Sequence, residues 1–383
     1  MTVQEYMTPM ERLDAAVAMQ PVDRVPVCPL VVFFCARQQG ILMKDFVASD
    51  KLTEDAIEKT FYDFGGWDVL FSGGRNEPLL FSHSVPVRLK MPGADLPPDS
   101  IWQFDEQERM TVEEYDYVIE NGWDKFFWNK YLPRMIPGKS SGILGMLTTI
   151  PHLIKAERVQ IKEIKKWAGR GHPTMMPAAI SHPFEILSGA RSMEQFSLDL
   201  FRRPDKVKAA IEAMIPDVVK LGIRKAKATG IPRIMHGAAR GSSTFISPKT
   251  FEEFYWPGLK RMVKSFHEQG ITTMLHHDSD WTPMLPFFKE LPRGSAILEL
   301  DGSTDIFKAK EILGGHLCLM GDVPASLFSL GSPEEVEDYV KKLIDIVGEG
   351  GGFILSSGCE VPEDTKPDNF RALLQTAKTY YPH

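Results

Sequence analysis

Residues 271–280 read Ile271-Thr-Thr-Met-Leu-His276-His277-Asp278-Ser279-Asp280. A short run rich in β-branched and apolar residues ends in a polar, ionisable cluster, and stretches with helical spacing flank it at 250–269 and 281–291. A short apolar run between helices predicts a strand of a parallel sheet covered on both faces. The same unit recurs through the second half of the chain. Apolar runs at 174–180, 234–237, 272–276, 296–300, 317–321 and 352–355 alternate with helical patterns at 184–200, 205–229, 250–269, 281–291, 305–313, 333–347 and 368–380. Two earlier runs, at 24–34 and 68–72, bring the strand count to eight. Eight βα units predict a closed (β/α)8 barrel of the TIM type, an α/β fold that takes residues 1–383 as one domain. Residues 75–170 then form an insertion after the second strand. An open doubly wound sheet is the rival, but its glycine fingerprint is missing. The nearest cluster, Gly348-Glu-Gly-Gly-Gly352, lies between a helix and a strand, where it reads as a helix stop.

Within the insertion, Pro86, Pro92, Pro97 and Pro98 punctuate a turn-rich stretch at 81–105 that suits a hairpin-like excursion. Residues 111–168 read as largely helical, with aromatic residues gathered around 123–131. The 383 residues carry 44 basic and 51 acidic side chains, a net charge of −7. That balance lacks the basic excess of a duplex-binding surface. The most apolar run, 25–36, holds 12 residues and is interrupted by Pro29, short of the roughly 20 that span a bilayer. The opening Met1-Thr-Val-Gln-Glu-Tyr lacks the basic start of a secretory signal. Four cysteines (Cys28, Cys35, Cys318 and Cys359) give no disulfide framework at this size. A cytoplasmic location is the expectation, with Cys28 and Cys318 acting as small buried hydrophobes.

In a barrel the chemistry belongs at the C-terminal strand ends, whose loops converge on one mouth. Those ends carry Cys35 and Arg37; Ser72, Gly73 and Arg75; His182; His236 and Arg240; the 276–280 cluster; Glu299 and Asp301; Asp322; and Cys359 with Glu360. Side chains two apart on an extended strand share a face, which pairs His276 with Asp278 and turns His277 away. With Cys359 they make a set of nitrogen, oxygen and sulfur donors. Zinc accepts all three types and keeps a fourth position open in catalytic sites. A hydrogen-bonded histidine–carboxylate pair beside an inert cysteine fits the same spacing equally well. Arg37 and Arg240 are candidates for holding a carboxylate or phosphate, or for ion pairs on the rim. His83, His152, His172, His267 and His316 fall in helices or loops and read as structural. Serine-hydrolase, P-loop and HExxH motifs are absent.

Several stretches resemble the uroporphyrinogen decarboxylase superfamily. At the start these are Arg12-Leu-Asp-Ala-Ala-Val, Asp23-Arg24-Val-Pro-Val, Arg37-Gln-Gln-Gly and Phe64-Gly-Gly-Trp-Asp68. At the end they are Gly321-Asp-Val-Pro, Gly331-Ser-Pro-Glu-Glu-Val, Ser357-Gly-Cys-Glu-Val-Pro and Pro367-Asp-Asn369. The resemblance covers nearly the whole chain, least so 75–170, and implies a distorted (β/α)8 barrel. The decarboxylase branch binds a porphyrinogen through arginines and a central aspartate. Here the second arginine is replaced around Ile41, the aspartate position reads Gly73, the expected tyrosine falls at Gly189, and the late Gly-His-Gly reads Ser357-Gly358-Cys359. The cobalamin-dependent methyltransferase branch binds zinc through His-x-Cys and a later cysteine. The matching places hold His276-x-Asp278 and Cys359, as in a sub-branch reading His-x-Asp.

The resemblance therefore implies a zinc-dependent methyltransferase that moves a methyl group between a small substrate and a corrinoid (cobalamin). The exchange of sulfur for oxygen makes the site harder and favours an ether or other oxygen-bearing substrate. The corrinoid-binding Asp-x-His-x-x-Gly is not met, and the nearest match, Ser265-x-His267-x-x-Gly270, falls in a helix. A separate corrinoid protein docking at the barrel mouth is the expected partner, and a homodimer fits the superfamily. Glu360 and Asp280 are the candidates for proton transfer or ligand support, and Arg37, His236 and Arg240 for substrate contacts. The alternatives are a decarboxylase acting without cofactor and a non-catalytic barrel that binds a tetrapyrrole or corrinoid.

Overall fold

In the computed structural model of the chain, residues 5–72, 85–136 and 138–381 are described. Ten strands follow in order: β1 (Leu70–Ser72), β2 (Arg88–Lys90), β3 (Gln103–Asp105), β4 (Thr174–Met176), β5 (Ala179–Ser181), β6 (Arg233–Ala238), β7 (Thr272–His277), β8 (Ala296–Leu300), β9 (Cys318–Val323) and β10 (Phe353–Ser357). β5 to β10 form a six-stranded parallel sheet in chain order, and β1 pairs in parallel with β4. Backbone hydrogen bonds carry the ring onward. Cys28 N–H donates to Leu355 O (2.9 Å), Val69 N–H to Val27 O (3.1 Å), Leu70 N–H to Pro173 O (2.9 Å) and Met235 N–H to Ala178 O (2.9 Å). The barrel expected from the alternating pattern is the fold observed.

Two of the expected strands depart from the sequence reading, and proline explains both. The run 24–34 forms only isolated bridges, Val27 with Leu355 and Leu30 with Glu360. Pro26 and Pro29 have no N–H to donate, so the ladder cannot propagate, and the chain turns into the helix Phe33–Gln38. The run 174–180 splits into β4 and β5 at Pro177 for the same reason. Among the helices, the expected 184–200 is two, Pro183–Arg191 and Met193–Arg202, broken at Ser192 with φ of 68°. The expected helix at 281–291 is a 3-10 helix, Thr282–Glu290, with Pro283 and Pro286 removing donors from the tighter turns. The hairpin expected at 81–105 exists as β2 paired antiparallel with β3. Its start, with His83, lies outside the described residues, as do Gly73 and Arg75 from the end of the expected second strand.

What the first strand lacks in ladder, buried charge supplies. Arg12, on the helix Pro9–Val17, donates Nε to Asp23 Oδ1 (2.7 Å) and Nη1 to Asp68 Oδ1 (2.6 Å). Arg24 donates Nη1 to Asp68 Oδ2 (2.6 Å), and Val27 N–H donates to the same oxygen (2.9 Å). All four charged side chains are buried. Burial alone would raise the Asp23 carboxyl, but Arg12 and the Met7 and Tyr6 N–H groups hold it well below the usual range. The barrel interior above this network is apolar, with Leu13, Cys28, Val69, Phe71, Met274, Ile297, Cys318, Met320 and Ile354 in one cluster. No helix among the described residues is long and apolar enough to cross a membrane.

Removing one member leaves an unpaired buried charge, which typically costs about 3–5 kcal/mol. Asp68→Asn should lower stability by about that much in denaturant unfolding. Asp14→Asn, at an exposed carboxylate 3.9 Å from Arg233, should change it by less than about 1 kcal/mol.

Candidate metal centre

β7 delivers His276 to the barrel interior and His277 to the opposite side, as the period of two requires. Just past β7, Asp278 is pinned by its main chain: its N–H donates to Ala238 O (2.9 Å) and its carbonyl accepts Trp281 Nε1–H (2.7 Å). Ser279 then takes a left-handed φ of 73°, a conformation non-glycine residues rarely hold unsupported. Asp301 Oδ2 accepts its N–H (2.7 Å) and Thr304 Oγ1 donates to its carbonyl (3.0 Å), which secures the turn. After β10, Gly358 brings Cys359 back to the mouth. A Cβ on Gly358 would lie 2.3 Å from Asp301 O, so only glycine passes there.

His276, Asp278 and Cys359 converge, with one donor atom of each within 4.8 Å of the others. His276 Nε2 lies 3.5 Å from Asp278 Oδ1 and 4.0 Å from Cys359 Sγ. Tetrahedral bonds of about 2.0–2.3 Å separate donors by roughly 3.3–3.7 Å, so the trio is close to a zinc-binding geometry. Glu299, buried on β8, takes the other ring nitrogen: its Oε2 pairs with His276 Nδ1. That contact fixes the ring and leaves Nε2 facing the other two donors, the usual support of a ligating histidine. Burial opposes charge on His276, but Glu299 and Asp278 outweigh it and raise the imidazole pKa. Burial raises the Cys359 thiol, and His276 partly offsets this.

The other residues singled out in the sequence divide by position. Glu360 lines the same cavity as the three donors; its Oε1 accepts Phe33 N–H (2.6 Å), and burial pushes its carboxyl up to about 7. Arg240 also lines the cavity, with Nη2 on Glu106 (2.6 Å). Asp280 is turned to structure: Oδ1 accepts Thr282 N–H (2.8 Å) and Oδ2 accepts Ser243 Oγ–H (3.0 Å). Arg37 pairs with Asp99 and Glu363 and is not among the cavity-lining residues. His236 points away from the cavity and packs among the rings of His182, His277 and Tyr255. His152 stands on the cavity wall rather than in a purely structural place. Sequence reasoning placed Glu299 at a strand end without a role. The signal was available: β8 follows β7, and Glu299 is in register with His276.

His236 is fully buried with neither ring nitrogen hydrogen-bonded, and burial lowers its pKa to about 4. Its neutral form is the folded form. The unfolded chain takes up the proton near pH 6.5, so the stability is complete above that pH and is lost as pH falls toward about 4. His236→Gln should therefore reduce the loss of stability between pH 7 and pH 5 by about 2 kcal/mol, measured by denaturant unfolding at both pH values.

Comparison with known proteins places the chain. The family described as Uroporphyrinogen decarboxylase (URO-D) matches residues 161–380. The uroporphyrinogen decarboxylase of Methylococcus capsulatus is 30% identical over 90 residues, 23% of this chain and 25% of that protein. The methylcobamide:CoM methyltransferase MtbA of Methanosarcina acetivorans is 27% identical over 139 residues, 36% of this chain and 39% of that one. The chain thus spans between a quarter and two fifths of these relatives' length. A solved methyltransferase from Methanosarcina mazei superposes with a TM-score of 0.70 over 97% of this chain and 98% of its own, at 18% identity, which shows the fold. With the family match covering more than half of its residues, the chain belongs to the uroporphyrinogen decarboxylase family.

Proposed function

We propose that the protein is a zinc-dependent methyltransferase that moves a methyl group between a small substrate and a corrinoid carried by a partner protein. The observation that supports it best is the convergence of His276, Asp278 and Cys359 at the cavity, with Glu299 behind His276. A zinc held by these three residues would supply Lewis acidity at an open position, polarising a substrate heteroatom. The oxygen donor of Asp278 makes this a harder site than one with two thiolates, which suits an oxygen-bearing substrate. Whichever way the methyl group travels, the heteroatom that loses or gains it also gains or loses a proton. Glu360, next to Cys359 on the cavity wall, is the group placed to hold that proton. Arg240 lines the same cavity, paired with Glu106, and on this reading it contacts substrate.

A porphyrinogen decarboxylase is less well supported. Gly189 stands on the cavity wall where the decarboxylases carry a tyrosine. A Cβ there would already lie 3.1 Å from Val87 and 3.4 Å from Pro86. A phenol in that direction would require Val87 and Pro86 to shift.

Metal analysis of protein purified without added metal should find about one zinc per chain, and Cys359→Ala and His276→Ala should each lose it. Methyl transfer to a corrinoid protein should disappear with the metal. A chain that binds no zinc even from excess metal would overturn the reading. Glu299→Gln should keep the fold and weaken zinc binding by about 10–100-fold in competition with a chelator, the usual effect of losing such a support.

A further inference from the structure

The cavity is large, about 880 Å³, toward the upper end of the roughly 300–1,000 Å³ typical of small-molecule sites. Its two ends differ in charge. The end at the strand termini holds Asp278, Cys359 and Glu360. From there the cavity runs past Phe71, Val87, Met176 and Met235 to the break between β4 and β5, where Pro177 and Ala178 line it. It continues between the helices Gly142–Gly169 and Pro204–Thr229. This far end holds Lys139, Lys155, Lys225 and His152 with one carboxylate, Glu157, beside them, and Asp50 is a further acidic residue of the cavity lining.

None of the three lysines forms an ion pair with a described carboxylate. Lys225 Nζ donates to Ala179 O (3.0 Å) and Lys139 Nζ to Thr148 O (3.2 Å). Glu157 faces Lys225 from beyond ion-pair distance. The arginines on the wall are different, because Asp95 takes Arg88 (2.6 Å) and Glu106 takes Arg240 (2.6 Å). Burial draws the Lys225 ammonium down to about 8, as expected of a cation short of negative partners. Ala179 is in register with Met235 and Met235 with Met274, two residues before His276. Strand spacing and rise then put the Lys225 contact roughly 12 Å from His276.

We infer that this far end is an anion subsite, and that the cavity takes an elongated, largely apolar small molecule with a carboxylate or sulfonate at the lysines and its opposite end at the metal donors. The placement of that opposite end rests on the proposed function. The anion subsite does not.

The test uses the metal-free 383-residue chain and two dyes of matched shape, anionic 1-anilinonaphthalene-8-sulfonate and neutral N-phenyl-1-naphthylamine, titrated by fluorescence. The double variant Lys155→Gln/Lys225→Gln should weaken the anionic dye by about tenfold or more and leave the neutral one within about twofold. Lys155→Arg/Lys225→Arg should restore the anionic dye, which a folding defect would not allow. Equal affinity of both dyes for the native and the glutamine-substituted chain would overturn the subsite. So would loss of the anionic dye in Leu147→Ser, because the dye would then lie on the exposed face of Ile143, Leu144 and Leu147. Zinc content measured on the same lysine variants should be unchanged, so failure of the metal reading and failure of the subsite are separately visible.

Discussion

The buried quartet of Arg12, Asp23, Arg24 and Asp68 is the constraint on which the rest of the barrel depends. A (β/α)8 barrel must close between its first and last strands, and here the first strand carries Pro26 and Pro29 and makes only two bridges. Asp68 stands just before β1, and its carboxylate accepts from Arg12, Arg24 and Val27 N–H at once. One side chain thereby ties the first helix, the first strand and the second strand together. The tie reaches the functional end of the barrel, because Leu30 bridges Glu360 and Val361 N–H donates to Leu30 O (2.8 Å). If residues 26–30 shifted, Cys359 and Glu360 would shift with them. A buried ion network is expensive to desolvate, so a good part of its net Coulomb gain is offset, while its contacts tie three elements together.

Proline also shapes the cavity. In a regular barrel each strand is paired on both sides and the interior is filled by side chains. Pro177 interrupts the third strand, so among the described strands β4 pairs only with β1 and β5 only with β6. The interruption leaves Ala179 O free to accept from Lys225, a residue on the helical layer. The lower barrel is filled by the apolar cluster around Met274 and Ile297, while the cavity above it extends sideways through the wall. A fold that normally confines its ligand to the mouth thereby gains length for a larger one.

The three candidate ligands are held by different means. His276 is fixed by strand register and by Glu299, Asp278 by main-chain hydrogen bonds and the left-handed turn at Ser279, and Cys359 by a glycine-only approach to Asp301 O. Asp301 serves two of them, since its Oδ2 accepts Ser279 N–H and its carbonyl abuts Gly358. Such bracing from several elements keeps the donors in place, and for the proposed metal it would lower the cost of binding.

Much of this was legible in the sequence, for physical reasons. Alternating apolar runs and amphipathic stretches determine a parallel sheet wrapped in helices, because each run must be covered on both faces. The period of two along β7 determines that His276 and His277 face opposite ways, and it sent one to the donor cluster and the other under Trp281. Chain-distant geometry was not legible. Whether Cys359 meets His276 depends on how the eighth strand closes on the first. That closure is set by charges at positions 12, 23, 24 and 68, which local pattern cannot connect. His236 and Arg37 stood at strand ends as Cys359 did, yet the one turned into the ring cluster and the other toward Asp99 and Glu363. Position along the chain determines which residues reach the mouth. Only the tertiary structure decides which point into it, because side-chain direction there is set by packing partners drawn from other elements.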